Sequence, residues 1–338
     1  MKKNLLIRKN SFIKKLFFKI IRKIGFELID QSTFSVPDKG LKINQDLSIF
    51  NKKNITLPLG EIEIKRKINN FLIIFRSFTN ENKLLSQNKK RIFEKNKIEY
   101  TLRSLFSLCK AINACQKKIS TINFFLKVID DNSESFVISK IKKIIQRFNI
   151  KHEISLLNTN KYKDKMKFND NPRMLAHNSH IYESKIYAKN SGYDLIYFVE
   201  DDYLHEENSI IEMLFTYQKF SSILKEDVIL CPVDYPYLYH KLENTIILPG
   251  YNVHWRKVNE SLCTYLISKN ILKQNWKEYI KMVENNFNPY EKPLHKIYKK
   301  FNCFSPIPSL SIHMTNVNSV YGLSIFKNIL DIWKKSKP

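Results

Sequence analysis

The sequence lacks the features that define several classes of protein. It has no run of about 18 uncharged apolar residues, so no membrane-spanning helix is predicted. Its basic N-terminus has no clear apolar core and no small-residue cleavage site, so a secretion signal is not expected. The five cysteines contain no CxxC pair and no metal-type spacing, and their scatter fits reduced thiols in a cytosolic compartment.

Acidic residues are scarce, since 32 Asp and Glu stand against 57 Lys and Arg and leave a net charge of +25. Such an excess suits nucleic acid, an anionic membrane or phosphorylated substrates as partners. Lys, Asn and Ile are abundant throughout, as in a coding sequence rich in A and T, so part of the excess carries no function. A hydrophobic fraction of 43% in 338 residues predicts a globular chain of one or two domains.

The first 26 residues contain no acid and nine Lys or Arg. Apolar residues recur there at helical spacing, and Gly25 is placed to end the helix. We expect residues 1–27 to form a basic amphipathic helix in the headgroup region of an anionic membrane, the alternative being a helix docked on the protein's own core. Residues 28–67 are polar and predict a connector with little structure of its own.

From residue 68 onward, short apolar runs alternate with amphipathic stretches. The pattern predicts strands at 71–75, 122–129, 152–157, 195–199, 227–233 and 262–267, and helices at 99–117, 135–148, 176–189, 206–220 and 272–283. This alternation is typical of an α/β fold with a mostly parallel central sheet and helices on both faces. A further amphipathic helix is expected within 321–338.

Charged residues follow three of these predicted strands. Arg76 follows the first, Asp130 and Asp131 the second, and the triplet 200–202 (Glu-Asp-Asp) follows the strand at 195–199. Ligands of parallel sheets bind beyond the carboxyl ends of the strands, so these side chains are expected at one rim. Three adjacent acids repel one another, and a divalent cation carrying a diphosphate would relieve that repulsion. The alternative is a solvated acidic turn.

The order of the two acidic turns resembles that of GT-A fold glycosyltransferases, most closely the family 2 group, over residues 68–320. The turn Asp130-Asp131-Asn132-Ser133 resembles the DDGS-like turn of that family. Residues 200–202 resemble its metal-binding DxD motif, in an EDD form shared with the N-acetylglucosaminyltransferase I family. The resemblance implies a nucleotide-diphospho-sugar transferase fold. It also implies Mn²⁺- or Mg²⁺-dependent transfer from a nucleotide-sugar donor to a hydroxyl acceptor, by an inverting hexosyl- or N-acetylhexosaminyl-transferase.

The resemblance also implies roles at the nucleotide end of the donor. Asp131 would accept a hydrogen bond from the nucleotide base, with Asp130 structural or assisting. Arg76 would lie at the base or ribose, although Arg-Ser-Phe-Thr-Asn at 76–80 replaces the usual proline and small residues. Apart from the resemblance, Arg256 beside Trp255 is a candidate for a further positive contact to the diphosphate.

At the metal, the resemblance implies that Asp202 is the direct ligand. Glu200 and Asp201 would reach the ribose and metal-bound water. His313 resembles the C-terminal histidine that approaches the metal and diphosphate in this family. Taken alone, a single histidine after an apolar strand is more often a structural residue.

The catalytic base of inverting members is a carboxylate at a helix start between the DxD motif and that histidine. Glu291 matches this position, although Lys292 stands where the family has a second acid. A surface helix cap is the competing interpretation of Glu291. Three other carboxylates stay open as bases: Asp234, Glu260 and Glu284.

Several further residues are candidates for substrate contacts. Trp255 or Tyr251 would stack on a sugar ring. Arg173 and His177, just upstream of the strand at 195–199, would face the diphosphate.

Two alternatives compete with the glycosyltransferase hypothesis. A sugar-phosphate nucleotidyltransferase normally has a glycine-rich loop after its first strand, and residues 76–80 contain no glycine. A basic nucleic-acid-binding protein would have clustered cations, but beyond residue 26 they are spread through the chain. We therefore expect a cytoplasmic enzyme, peripheral on the inner face of the membrane, with a glycolipid or surface-polysaccharide intermediate as acceptor and no specific nucleic acid partner.

Overall fold

The computed structural model describes residues 12–26, 53–56, 60–80, 92–93, 95–166, 171–239, 244–284, 290–314 and 327–338. The chain divides into two compact units, Met1–Lys67 and Ile68–Pro338. No helix within the described ranges is long and apolar enough to cross a membrane.

The first unit contains helix α1 (Phe12–Lys23), which bears no acid in its first turn and Arg22 and Lys23 in its last. Gly25 follows with a φ of +90°, the left-handed conformation that glycine adopts at helix ends, so the predicted end of this helix is confirmed. Strands β1 (Lys53–Thr56) and β2 (Gly60–Glu63) form an antiparallel pair. This pair lies in the interval 28–67, where the composition had predicted little structure.

The second unit is built around one large sheet. Its strands, together with those of a separate antiparallel pair β7–β13, are β3 (Asn70–Ser77), β4 (Asn123–Asp130), β5 (His152–Leu156), β6 (Leu195–Glu200), β7 (Tyr203–His205), β8 (Ile229–Leu230), β9 (Ile247–Pro249), β10 (His254–Val258), β11 (Tyr265–Ser268), β12 (Cys303–Ile307) and β13 (Ser311–His313). The large sheet has nine strands in the order β5-β4-β3-β6-β11-β8-β12-β10-β9. Its first four strands are parallel to one another.

The helices of this unit are α2 (Lys97–Lys118), α3 (Ser135–Gln146), α4 (Pro172–Asn190), α5 (Ser209–Leu224), α6 (Lys269–Gln274), α7 (Trp276–Glu284), α8 (Lys292–Lys300) and α9 (Ile329–Lys335), with 3-10 helices at Thr159–Lys165 and Pro236–Tyr239. Alternate residues of β3 enter two different cores, because successive side chains of a strand point to opposite faces. Phe71 and Phe75 pack with residues of α2, α3 and α5. Leu72 and Ile74 pack with residues of α4, α7 and α8. The predicted α/β fold, with helices on both faces of the sheet, is therefore confirmed.

The second half of the sheet differs from the prediction. Strand β11 is antiparallel to both β6 and β8, and β10 is antiparallel to β12 and β9. The strand predicted at 227–233 is reduced to the two residues of β8. The helix predicted at 272–283 is divided at Asn275, whose side-chain amide donates to the Ile271 carbonyl oxygen at 2.8 Å. In the predicted C-terminal helix, residues 321–326 lie outside the described residues.

Candidate functional site

The register of the parallel strands sets Arg76 opposite Glu200 at the carboxyl end of the sheet. The Arg76 Nη2 atom donates to Glu200 Oε1 at 2.9 Å, and Arg76 is only 7% exposed. Burial raises the pKa of the Glu200 carboxyl, and Arg76 opposes that rise. The pair therefore forms a fixed, partly buried dipole at the rim, as expected from two charges that converge there.

The turn after β4 is braced by its first acid. The Asp130 carboxylate accepts bonds from the Ser77 hydroxyl at 2.6 Å and from the Ser133 backbone N–H at 2.7 Å. Asn132 takes the left-handed conformation with a φ of 55°, and its amide donates to Asp131 Oδ1 at 2.9 Å. The backbone N–H of Asp131 donates to the Ser77 carbonyl oxygen at 2.9 Å. Asp130 thus joins the ends of β3 and β4 and holds Asp131 in place.

Asp201 is held by groups from two other elements. Its carboxylate accepts from the Phe78 backbone N–H at 2.9 Å, the Thr101 hydroxyl at 2.8 Å and the Lys97 ammonium. Asp201 is 7% exposed, and the side chain of Lys97 is 5% exposed. The middle acid of the triplet therefore fixes the turn to the end of β3 and to the first turn of α2.

Replacement of Asp201 by alanine is expected to lower the free energy of unfolding by about 3–5 kcal/mol, because it removes the carboxylate that pairs with the buried Lys97. Asp201→Asn is the matched control, since it keeps an acceptor for Phe78 and Thr101 and should lose less. Urea unfolding followed by circular dichroism measures both variants. An Asp201→Ala protein as stable as wild type would show that this tie does not stabilise the rim.

Asp202 meets His313, although the two lie far apart in sequence. The antiparallel pair β7–β13 sets His313 opposite Tyr203, and the two rings stack at 4.4 Å with an interplanar angle of 7°. His313 Nε2 lies 3.4 Å from Asp202 Oδ2. Burial lowers the pKa of His313, but Asp202 more than offsets this effect and the net shift is upward. The structure thus brings the two predicted metal ligands together.

These residues fit a divalent cation that is shared with a substrate. Among the described residues no group of three or more His, Cys, Asp or Glu could hold a metal by itself. A Mg²⁺ or Mn²⁺ site completed by substrate phosphates needs only one or two protein ligands. Asp202 Oδ2 and His313 Nε2 lie 3.4 Å apart, and a carboxylate oxygen and an imidazole nitrogen at that separation can both contact one cation. The pair therefore suits a cation that a diphosphate also binds, and not a permanent all-protein site.

Glu291 lies at the N-cap of α8, but its side chain makes no capping hydrogen bond. Burial raises its pKa to about 7, with Glu200 adding to the rise and His313 opposing it. These influences show that Glu291 lies within electrostatic reach of both rim residues. A carboxyl with a pKa near neutrality can accept a proton from a hydroxyl, which is what a general base requires.

The other candidates have structural partners. Arg256 binds Asp234 Oδ1 through Nη2 at 2.8 Å, and its guanidinium lies 4.0 Å from the ring centroid of Tyr239. Trp255 is fully buried and donates from Nε1 to Glu212 Oε1 at 3.2 Å, so the prediction that Trp255 stacks on a sugar is wrong. It fills the core because Gly250 lets its ring approach the backbone, where an added Cβ would lie 2.4 Å from the indole.

Two basic residues of α4 lie under the same rim. Burial, followed by the charge of Arg76, lowers the pKa of His177 to about 4. Lys185 is buried with its Nζ atom 3.2 Å from the ring centroid of Phe198, and donates to the Tyr265 hydroxyl at 2.6 Å. Burial lowers the pKa of Lys185 well below its ordinary value. Sequence reasoning missed Lys185, and a lysine within a predicted helix offered no signal.

Sequence reasoning also missed Lys97 and Thr101 as partners of Asp201. Their spacing of four residues near the start of α2 places both on one helix face, which is the signal that was available. That Asp201 is the residue they bind could be learned only from the tertiary structure.

Comparison with solved structures finds distant structural likenesses. No protein-family model and no curated protein matches the sequence. The chain is similar to the structure of S. aureus TarS 1-349, with 14% identity and a TM-score of 0.39 over 70% of this chain and 60% of that one. It is also similar to GalNAc-T7 with UDP, GalNAc and Mn²⁺, with 8% identity and a TM-score of 0.43 over 86% and 55%. Mouse xyloside xylosyltransferase 1 shares 12% identity with a TM-score of 0.36 over 69% and 77%. The chain thus spans less than two thirds of the length of TarS 1-349.

Proposed function

We propose that this chain is a glycosyltransferase that moves a sugar from a nucleotide-diphospho-sugar to a hydroxyl acceptor with the help of Mn²⁺ or Mg²⁺. One observation carries the proposal. The β7–β13 pair sets His313 Nε2 3.4 Å from Asp202 Oδ2, and the charge of His313 acts on Glu291, whose pKa burial raises to about 7. A cation–diphosphate site beside a general base is what glycosyl transfer to a hydroxyl requires.

The donor would lie along the rim. Asp131, held by the braced turn after β4, would accept from the nucleotide base, and the Arg76–Glu200 pair would lie at the ribose. Asp202 and His313 would hold the cation, which neutralises charge on the leaving diphosphate when bound. Asp130 and Asp201 contribute by fixing the two turns.

The chemistry of the chain's own residues is a single displacement. Glu291 takes the proton of the acceptor hydroxyl, and the acceptor oxygen forms a bond to the anomeric carbon of the donor. The bond between that carbon and the diphosphate oxygen breaks as the new one forms, so the configuration at the anomeric carbon inverts. A hexosyl or N-acetylhexosaminyl unit is transferred. Arg256, bound to Asp234, would contact the diphosphate only after exchanging that partner.

The alternatives are less well supported by the site. A nucleotidyltransferase would need a glycine-rich phosphate loop after β3, but there the side chains of Arg76 and Ser77 and the Phe78 N–H are engaged by Glu200, Asp130 and Asp201. Nucleic-acid binding without catalysis does not require a carboxyl with a pKa near 7 or an Asp–His pair.

Calorimetry against a panel of nucleotide sugars, with and without Mn²⁺, tests the proposal. We expect at least one nucleotide sugar to bind, and to bind more tightly with Mn²⁺. Salt-dependent retention on polyanions does not discriminate, because the net charge of +25 produces it under every hypothesis. Protein that binds no nucleotide sugar in either condition would contradict a glycosyltransferase function.

We also propose that α1 attaches the protein to an anionic membrane surface on the cytoplasmic side, with a glycolipid or surface-polysaccharide intermediate as acceptor. Five large apolar side chains of this helix and one just after it are solvent-exposed: Phe12, Ile13, Leu16, Phe17, Ile20 and Ile24. Its charged residues are all basic, which complements anionic headgroups. An apolar face flanked only by basic side chains favours binding to anionic lipid over binding to a second protein.

Deletion of residues 1–26 is expected to abolish sedimentation with phosphatidylserine-containing vesicles, because both the apolar face and the cations are removed. A matched variant, Leu16→Ser/Phe17→Ser/Ile20→Ser, keeps every charge and should lose at least about tenfold in vesicle partitioning, since each large apolar side chain contributes more than ~1 kcal/mol when buried. Undiminished binding of the deleted protein would rule the attachment out.

A further inference from the structure

The imidazole of His313 lacks the hydrogen bond that ordinarily orients a metal-binding histidine. Such a histidine uses its second ring nitrogen to bond a carboxylate, a backbone carbonyl or water, and this bond fixes the plane of the ring. The Nδ1 atom of His313 is buried and has no hydrogen-bond partner among the described residues. Its other nitrogen, Nε2, lies 3.4 Å from Asp202 Oδ2. The orientation that brings Nε2 to Asp202 must therefore be set by packing.

The backbone around His313 fixes where its side chain begins. Strand β13 sets His313 opposite Tyr203 of β7, and the Met314 N–H donates to the Asp202 carbonyl oxygen at 2.7 Å. Residues that lie opposite each other in an antiparallel pair have their side chains on the same face, so the two rings must meet. The torsion that turns the imidazole about its bond to Cβ is broad in histidine. The backbone alone therefore does not select the plane of the ring.

The ring of Tyr203 is the surface on which the imidazole lies. The two ring centroids are 4.4 Å apart and the ring planes differ by 7°. Tyr203 is fully buried, and its hydroxyl lies 2.8 Å from the hydroxyl of Tyr235, which is also fully buried. The Tyr203 carbonyl oxygen accepts from the Ser104 hydroxyl at 2.8 Å. Tyr203 is thus held at its backbone and at the far end of its ring, and presents a fixed flat face to His313.

The backbone just before Tyr235 is attached to the end of β12. The Val233 carbonyl oxygen accepts from the Ser305 hydroxyl of β12 at 2.8 Å, and the Asp234 N–H donates to the Ser309 hydroxyl at 2.7 Å. These bonds give the Tyr235 hydroxyl a fixed position in the large sheet's framework. The hydrogen bond between the two phenols is therefore a clamp on the ring that touches the imidazole.

We infer that Tyr203 is a positioning residue of the proposed cation site: its ring, clamped through the Tyr235 hydroxyl, holds His313 Nε2 toward Asp202. The inference rests on the proposed function and deepens it, because it names what orients one of the two proposed cation ligands. An aromatic face also attracts a ring that carries positive charge, as an imidazole does when it binds a cation. Groups that orient metal ligands typically contribute about 10–100-fold to metal affinity. Tyr203 should therefore strengthen Mn²⁺ binding while making no contact with the cation itself.

The test measures how much Mn²⁺ tightens the binding of a nucleoside diphosphate. Calorimetry gives the Kd of UDP, GDP, CDP and dTDP without Mn²⁺ and at one fixed Mn²⁺ concentration. For the ligand that wild type binds best, the ratio of the two Kd values is the Mn²⁺ gain. Tyr203→Met removes the flat ring and should lower the gain about tenfold, which corresponds to ~1.4 kcal/mol. Tyr203→Phe keeps the ring but loses the clamp, and should lower the gain about threefold. In both variants the Kd without Mn²⁺ should change by less than about twofold.

Tyr217→Phe is the matched control, since it deletes the hydroxyl of another fully buried tyrosine and should keep the wild-type gain. That hydroxyl donates to Asp227 Oδ1 at 2.9 Å, just before β8 and at the edge of the sheet opposite the rim, because β8 runs parallel to β6. Melting temperatures show whether each variant folds, and the milder Tyr203→Phe decides the test if Tyr203→Met does not fold.

A wild-type Mn²⁺ gain in Tyr203→Phe would overturn the inference. An equal loss of gain in Tyr217→Phe would also overturn it, because the loss would then follow from general destabilisation. Wild-type protein that binds no diphosphate, or binds it equally with and without Mn²⁺, would instead contradict the proposed cation-dependent function, and the inference with it.

Discussion

Replacement of Asp202 by alanine is expected to lower kcat/KM by roughly a thousandfold or more and to remove the dependence of nucleotide-sugar binding on Mn²⁺. Losing one fixed electrostatic contact to developing charge costs about 10²–10³ in rate, and this variant also loses the carboxylate that we propose as a ligand of the cation. Initial rates with varied Mn²⁺ measure the first effect, and calorimetry with and without Mn²⁺ measures the second.

The fold should survive this substitution, because Asp202 is partly exposed and the turn is held by Asp201. Circular dichroism and the melting temperature check that condition. Glu207→Ala is the control, since Glu207 is a surface acid paired with Lys110 at 2.9 Å and should retain full activity. An Asp202→Ala protein with the turnover of wild type would contradict the proposed mechanism.

Replacement of Glu291 by glutamine is expected to lower kcat by about 10²–10⁴ while leaving the Kd of the donor unchanged, which is the range ascribed to general bases. The base works only when deprotonated. Wild-type kcat should therefore rise with pH through about 7 and be lost as the pH falls below it. The variant should have lost that step in its profile of kcat against pH.

The Glu291→Gln substitution should lower activity without lowering the stability of the fold. The folded protein holds the Glu291 pKa at about 7, above its ordinary value of 4.5, so the carboxylate opposes folding at pH values above 7 and has no effect below about 4.5. Glu291→Gln should accordingly melt at or above the wild-type temperature at pH 8 and match it at pH 4. Glu207→Gln, at a surface acid paired with Lys110, is the control and should alter neither property. Full activity of Glu291→Gln would assign the base to another residue.

The parallel half of the sheet could be predicted from the sequence chiefly because β3 and β6 contain uninterrupted apolar runs. The run at 195–199 became β6 (Leu195–Glu200), and that at 71–75 became β3 (Asn70–Ser77). Strand β8 has two residues and β9 has three, too few for a periodic pattern to develop. Their antiparallel pairing depends on tertiary contacts that no local pattern carries.

The candidate site, too, could be predicted from the sequence only in part. The acidic turns after β4 and β6 were predicted because their positions follow directly from the strands. Asp202 had been named as the metal ligand from the resemblance, but the structural partners of Asp201 needed the structure, since α2 supplies Lys97 and Thr101 from a hundred residues away. Trp255 misled the sequence reasoning, because an aromatic beside an arginine has the same pattern in a core as on a binding surface.

The candidate site is complete only after the short pair β7–β13 has formed, because this pair brings His313 to Asp202. Leu310 and His205 lie where the last strand docks, with the Glu206 N–H donating to the Leu310 carbonyl oxygen at 2.9 Å and Ser311 paired with His205. Closing so long a loop is a late and entropically costly event, since local contacts form first. A chain still on the ribosome would therefore hold Asp202 without His313. The activity proposed for the Asp202–His313 pair therefore depends on the docking of β13.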